Sequence, residues 1–322
     1  MGKYLKNILI TGGLGYLGGR MTKYFSDNRY SVLITTRRLE KDFPKNIPVN
    51  TSVVQVDYKS DEQLNQAMKG IDTLIHLAGP DAHTISKNPD SIILEHLELT
   101  GRLVHAAEVN DVKKIIYFST IHVYGKNLKG TITEATSPIP VHPFAKAHLE
   151  AESIIESQTK KVVSVIVRCS NSFGAPYFEN EKCWKLVVND FSRSAFQIGK
   201  ITINSSGQDY RNFIAVEDVV RAIYYLLEIK NEGRVNHIFN LGSSNSVRII
   251  DIARRIQKAL KDRFDYDCPI IKNKPSKEMN KPKHFILSTE KIKRLGFTSK
   301  LGDDEIFSLL NHCKMKYQLV TQ

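Results

Sequence analysis

Only four cysteines stand in the 322 residues, at Cys169, Cys183, Cys268 and Cys313, and none forms a CxxC pair. A zinc site built on paired thiolates is therefore not expected, no metal is assigned, and the thiols read as reduced, as in a cytoplasmic protein. No run of about 18 uncharged apolar residues occurs, so no membrane span is expected. The first apolar run, Ile8-Leu9-Ile10 behind Lys3 and Lys6, is too short for a secretory h-region. Lys6 also stands where a myristoylation signal wants Ser or Thr. Acidic residues are the scarcer charge, 34 Asp+Glu against 46 Lys+Arg, giving a formal net charge of +12. The excess is dispersed, with mild bunching in 272–294, and no basic block alternates with aromatics. That favours a solvated basic surface, which draws in an anionic small substrate, over a nucleic-acid interface. Charged residues at 25% and apolar residues at 41% exclude disorder as the main state. The length suits one large domain or two lobes.

The first 170 residues alternate apolar runs with helical spacing. Strands are expected at Asn7–Ile10, Ser31–Thr35, Ser52–Val56, Ile71–Leu77, Lys114–Ser119 and Val162–Val167, and helices at Tyr16–Asn28, Ser60–Lys69, Asp90–Asn110 and Pro143–Gln158. Near-continuous apolar strands separated by helices predict a parallel sheet covered on both faces. The fold class is thus α/β, a doubly wound Rossmann-type sheet with its ligand crevice at the carboxyl ends of the strands. After residue 170 the regularity falls. Loops around Gly174, Pro176 and Gly207 precede a helix at Val216–Ile229, a strand at Asn236–Asn240, a helix near Arg248–Leu260 and a Lys-rich tail. The expected division is a dinucleotide-binding domain over 1–170, to which 210–240 returns, and a smaller substrate lobe from 171–209 and 241–322.

The first strand runs into Thr11-Gly12-Gly13-Leu14-Gly15-Tyr16-Leu17-Gly18. Glycines at 12, 15 and 18 (or 13, 15 and 18) suit a tight turn, close approach of a pyrophosphate and close helix packing. The helix opening at Tyr16 and Leu17 adds N–H groups and a positive dipole end. The end of the second strand chooses between cofactors. An acidic residue there accepts from the 2′-hydroxyl of NAD. This chain instead reads Ile34-Thr35-Thr36-Arg37-Arg38, and two guanidinium groups suit a 2′-phosphate. NADP is favoured, with NAD the alternative.

These motifs, with Asp57, His76-Leu77-Ala78-Gly79, Ser119-Thr120-Ile121-His122-Val123-Tyr124-Gly125, Arg168 to Gly174, Arg211 to Asp218 and Asn240-Leu241-Gly242, resemble the extended short-chain dehydrogenase/reductase family, the nucleotide-sugar epimerases, dehydratases and reductases. The resemblance covers almost the whole chain. It implies that Gly12, Gly15 and Gly18 meet the cofactor pyrophosphate, that Asp57 faces the adenine, that Ala78 lines the nicotinamide side, and that Leu77, Gly79 and His148 also belong to the cofactor-binding residues. It implies that Thr120 holds a sugar oxygen, and that Asn171 and Arg211 bind the nucleotide sugar, Arg211 on its diphosphate. It also implies a homodimer through the helices at 90–110 and 143–158, and a role in sugar or surface-polysaccharide biosynthesis.

The chemistry departs from the family at one place. Its acid/base is a Tyr in YxxxK, usually as P-Y-x-x-S-K-x-x-x-E, whereas this chain reads Pro143-Phe144-Ala145-Lys146-Ala147-His148-Leu149-Glu150-Ala151-Glu152. Aligned on Pro143 and Glu152, Phe144 replaces the Tyr and His148 the Lys. A second register sets His142 and Lys146 in those places but loses the proline. A free Tyr has a pKa of about 10, and each unit of lowering is worth about 1.36 kcal/mol; Phe144 has no proton to move at all. Three readings stay open. Another group does the proton work, with His122, His142, His148 and Tyr124 as candidates. Alternatively, residual activity comes from cofactor positioning alone. In the third, the chain is a catalytically silent binder of dinucleotide or nucleotide sugar. The family's dehydratases carry an Asp-Glu pair where this chain has Ile121-His122, which disfavours that reaction.

Overall fold

In the computed structural model, residues 6–80, 85, 88–229, 236–273, 283–300 and 302–317 are described. The chain divides into two compact units, the first Met1–Lys126, Glu134–Cys169 and Ile223–Asn240, the second Asn127–Thr133, Ser170–Ala222 and Leu241–Gln322. The returning segment therefore begins at 223 and not at 210, and 127–133 leaves the first unit for the second. Part of the Lys-rich tail, 274–282, lies outside the described residues.

The first unit is built on a seven-stranded sheet: β1 Asn7–Thr11, β2 Ser31–Thr36, β3 Thr51–Gln55, β4 Thr73–His76, β5 Lys114–Thr120, β6 Val163–Cys169 and β7 Asn236–Leu241. Their order is β7-β6-β5-β4-β1-β2-β3. The pairs from β6 across to β3 are parallel. Between strands run α1 Tyr16–Asp27, α2 Asp61–Met68, α3 Pro89–Val109 and α4 Pro143–Gln158. Local chemistry starts them. Ser60 caps α2 by accepting from the Gln63 N–H, and Asp61 and Glu62 suit the positive end of its dipole. Pro89 and Pro143 open α3 and α4, where the missing N–H costs nothing.

Strand order reverses at β1, so the chain leaves β1 and β4 in opposite directions and opens a crevice at their carboxyl ends. The face covered by α2, α3 and α4 carries Leu9, Leu74, Ile115 and Ile166, an apolar core with Leu64, Leu103, Val104, Ala151 and Ile155. Side chains alternate along a strand, so the same face continues to Thr11, His76, Tyr117 with Ser119, and Arg168. Register aligns them, with Thr11 beside His76, His76 beside Tyr117, and Ser119 beside Arg168. A buried polar seam thus crosses the carboxyl end of an otherwise apolar face.

The second unit holds α5 Val187–Gln197, most of α6 Val216–Leu227, α7 Ile249–Phe264 and α8 Gly302–Tyr317, with short strand pairs between them. The sequence reading has no helix at α5. It has α7 at Arg248–Leu260, four residues short of its observed end.

Candidate active site

The turn after β1 is a cradle that side chains would fill. Gly12 has φ +72°, and a Cβ there would stand 3.0 Å from the Ala78 nitrogen and 3.1 Å from the Leu77 carbonyl carbon. A Cβ on Gly18 would overlap the Gly12 carbonyl oxygen and stand 2.7 Å from Gly13 Cα, so Gly18 serves to seat α1 on its own turn. Gly15 is the N-cap of α1 and makes no side-chain cap bond, and the first helical turn carries no acid. The first intrahelical donation from this turn runs from Gly19 to the Gly15 carbonyl at 2.9 Å, and Tyr16, Leu17 and Gly18 precede it. A turn without acidic side chains at the positive end of a helix dipole fits a diphosphate. These residues therefore suit a dinucleotide.

Around the cradle, Leu77 and Ala78 are half-buried and Gly79 is exposed beyond β4. Thr11 ties the two loops together, its hydroxyl oxygen accepting from the Leu77 and Ala78 N–H groups, each at 3.2 Å. Arg37 and Arg38 are exposed directly after β2, and no carboxylate stands at that strand end. The Tyr58 hydroxyl donates to the Thr35 carbonyl at 2.8 Å, within the field of Arg37. Asp57 is exposed; its carboxylate accepts from the Lys59 N–H at 3.0 Å.

The altered dyad has a definite geometry. Phe144 is half-buried, with its ring 4.6 Å from that of His148 in an edge contact. His148 is buried, and its Nδ1 lies 2.7 Å from the Tyr117 hydroxyl. The same hydroxyl lies 2.9 Å from Nε2 of His96 on α3. A second chain runs beside it. With both Thr11 lone pairs occupied by N–H donors, its O–H donates to His76 Nδ1 at 2.8 Å. His76 then carries its proton on Nε2, 3.2 Å from Thr100 Oγ1, and the Thr100 hydroxyl donates to the His96 carbonyl at 2.8 Å. Burial, helped by His96 and His122, brings the His148 pKa down to about 3. Burial brings His96 to about 4, and burial with His96 and His148 pushes His76 well down. Burial and the Glu152 charge push the Tyr117 phenol up. Near neutrality the cluster holds three uncharged imidazoles and an un-ionised phenol. His148 is no substitute for a lysine cation. His142 and Lys146, the second register, are both exposed, His142 at the N-cap of α4 and Lys146 on its first turn.

Next to this cluster, Arg168 and Glu152 form a buried ion pair, Nη2 to Oε2 at 2.6 Å, and the Ser119 hydroxyl donates to the same carboxylate. Arg168 also donates to the Tyr124 hydroxyl at 3.0 Å, which in turn donates to Asn240 Oδ1 at 2.7 Å. Burial pushes the Tyr124 phenol up despite Arg168. Its hydroxyl is committed to this network. Thr120, buried at the end of β5, accepts from the His122 N–H at 3.2 Å, and His122 is half-buried in the turn that follows.

Asn171 and Arg211 belong to the second unit. Asn171 Nδ2 donates to the Asn212 carbonyl at 2.8 Å, and Arg211 donates to the Tyr210 carbonyl at 3.0 Å. Asn212, fully buried, staples the following loop by donating to the Ser243 carbonyl at 2.7 Å and accepting from the Ser243 N–H at 3.1 Å.

Sequence reasoning missed Tyr117 and His96. Among the described residues, no group of three or more His, Cys, Asp or Glu is placed to hold a metal, and no helix is long and apolar enough to cross a membrane.

A family model described as the NAD dependent epimerase/dehydratase family matches residues 8–242. The chain belongs to that family. Among its curated relatives, the dTDP-D-glucose 4,6-dehydratase of Homo sapiens is 26% identical over 318 residues, covering 93% of this chain and 87% of the relative. An Arabidopsis thaliana trifunctional UDP-glucose 4,6-dehydratase/UDP-4-keto-6-deoxy-D-glucose 3,5-epimerase/UDP-4-keto-L-rhamnose-reductase is 24% identical over 319 residues, covering 93% of this chain and 46% of the relative. The chain thus spans about half the length of that plant protein. A UDP-glucose 4-epimerase of Thermotoga maritima, solved with UDP-glucose, matches with a TM-score of 0.79 at 23% identity over 96% of this chain and 99% of that one. MoeE5, solved with UDP-glucose and NAD, matches with a TM-score of 0.79 at 19% identity over the same shares. These structures share the doubly wound fold expected from the sequence.

Proposed function

We propose that this chain is an NAD(P)-dependent nucleotide-sugar epimerase or reductase that works without the family's Tyr–Lys pair, in sugar or surface-polysaccharide biosynthesis. The observation that carries the reading is the glycine cradle at the point where strand order reverses, intact in backbone shape and free of first-turn acids. A nicotinamide dinucleotide bound there supplies a reversible hydride acceptor. The chain's own residues do the rest. Gly12, Gly15 and the start of α1 receive the diphosphate. Asp57 serves the adenine, and Ala78 the nicotinamide. Arg37 and Arg38 select a 2′-phosphate, hence NADP over NAD. Thr120 orients a sugar oxygen, Asn171 and Arg211 bind the nucleotide sugar, and His122 is the first candidate to carry its proton. Leu94 and Val109 on α3 are exposed apolar side chains, in keeping with a homodimer through α3 and α4.

A second reading, a binder of dinucleotide and nucleotide sugar without turnover, is favoured by Phe144 beside a neutral His148. One experiment separates the two. Purified protein is loaded with NADP+ or NAD+, nucleotide sugars are added, and the reduced-nicotinamide absorbance and the sugar products are followed. The same is done with the F144Y/H148K pair. Turnover that the pair abolishes supports an unusual acid/base, and H122A then lowers turnover far more than affinity. Turnover that only the pair creates supports the binder. Protein that takes up neither dinucleotide overturns both.

A further inference from the structure

Tyr117 makes two hydrogen bonds to ring nitrogens and has one proton to give. Accepting from both rings would leave the proton of the buried phenol without a partner among the described residues, so Tyr117 donates to one histidine and accepts from the other, and the choice fixes the tautomer of both rings. If Tyr117 donates to His96 Nε2, the His96 proton sits on Nδ1. That atom is buried and has no hydrogen-bond partner among the described residues, so an N–H there would be stranded in the core, where an orphaned donor costs the full desolvation of the group. If His96 Nε2–H donates to Tyr117, only a lone pair is left at Nδ1. On that side of the ring stands Gly79, where an added Cβ would come 3.1 Å from His96 Cε1 and 3.5 Å from Nδ1, so a side chain there would crowd the ring. The direction of the chain follows: His96 Nε2–H to the Tyr117 oxygen, then Tyr117 O–H to His148 Nδ1. A neutral imidazole that accepts at Nδ1 carries its proton on Nε2.

We infer that Tyr117 and His96 are positioning residues that lock His148 in its Nε2–H tautomer, so that the position where the family has a lysine cation presents a fixed, uncharged donor to an acceptor oxygen of the bound dinucleotide. The tautomer half of this statement stands on the hydrogen-bond geometry alone, and the ligand half rests on the proposed function. Each bond in the row polarises the next in the same sense, which strengthens the final donor. A lysine would spread its charge over any acceptor in reach. The locked ring instead offers one direction, and it does so only while Tyr117 keeps its hydroxyl.

The test uses protein with 15N-labelled histidine rings at pH 7, with His148 assigned by its loss in H148Q. Two-bond proton–nitrogen spectra give the tautomer, and binding of NAD+ and NADP+ is titrated on the same samples. The wild type shows His148 protonated on Nε2 only. Y117F, which keeps the ring and removes the hydroxyl, turns this into a tautomer mixture and weakens dinucleotide binding by about 3- to 10-fold, the worth of one neutral hydrogen bond. In H148Q the amide oxygen accepts from Tyr117 and the amide N–H replaces Nε2–H, so affinity stays within about 3-fold of the wild type, while H148L loses about 10-fold or more. A proton on Nδ1 of wild-type His148, on both its nitrogens, or a tautomer unmoved in Y117F overturns the assignment. Equal affinities in wild type, H148Q and H148L overturn the ligand-facing half. Wild type with the stated tautomer but no uptake of either dinucleotide removes the ligand-facing half together with the function it rests on, whereas a wrong tautomer removes this inference and leaves that function standing.

Discussion

Lowering the pH from 7.5 to 5.0 should unsettle the first unit through its buried histidines, and the effect has a size. In the unfolded chain a histidine titrates near its ordinary pKa of 6.5; in the fold, burial holds His148 at about 3 and His96 at about 4. Both folded values lie below the unfolded one, so below pH 6.5 the unfolded chain binds protons that the folded chain refuses. The stabilisation is intact above pH 6.5 and is withdrawn as the pH falls from there toward the folded values. At pH 5.0 the unfolded ring is 1.5 units into protonation while each folded ring is still neutral, which is worth about 2 kcal/mol per histidine at about 1.36 kcal/mol per unit. Two such rings remove about 4 kcal/mol, a large share of the 5–15 kcal/mol that typically holds a domain together. The decisive comparison is wild type against H148Q in urea unfolding at both pH values. Glutamine does not titrate, so H148Q should gain about 2 kcal/mol relative to wild type on going from pH 7.5 to 5.0. A stability difference between the two proteins that does not change with pH would show that His148 is free to ionise in the fold, and would refute the account of the buried cluster.

Other perturbations give distinct outcomes. Replacing Arg37 and Arg38 with Ala should weaken NADP+ binding by about 10-fold or more, at the scale of lost charge-assisted hydrogen bonds, and NAD+ binding much less; calorimetric titration showing equal loss would remove the 2′-phosphate assignment. G18A places a methyl against the Gly12 carbonyl oxygen and Gly13 Cα, so it should lower stability by about 1–3 kcal/mol and abolish dinucleotide uptake, seen by thermal melts and dye-free binding; an unchanged melt contradicts the close packing. E152Q leaves the Arg168 guanidinium buried without its counter-charge, and urea unfolding should show a loss of about 3–5 kcal/mol; a loss under 1 kcal/mol would mean that the ion pair is not the buried anchor described.

The glycine cradle and the strand spacing were legible in the sequence because their causes are local. A glycine at 12 answers to a positive φ, and runs such as Lys114–Ser119 answer to burial on both faces. Helix α5 also has a local cause, since Val188, Phe191 and Ala195 follow helical spacing and are buried, yet it follows the loop with Gly174 and Pro176 and is absent from the sequence reading. The polar seam was not legible. Tyr117 lies inside a strand that reads as apolar, and His96 lies in a helix whose pattern is ordinary. Only the β4–β5 register and the packing of α3 beside α4 bring them to His148. The boundary of the returning segment was missed for a similar reason, because α6 reads as one helix while its contacts divide at residue 223.

Titrating the purified chain with NAD+ and NADP+ by calorimetry tests the central claim most directly. The account predicts saturable heat with at least one of the two, lost in G18A and shifted away from NADP+ when Arg37 and Arg38 are removed. No heat with either dinucleotide from folded wild-type protein would contradict it.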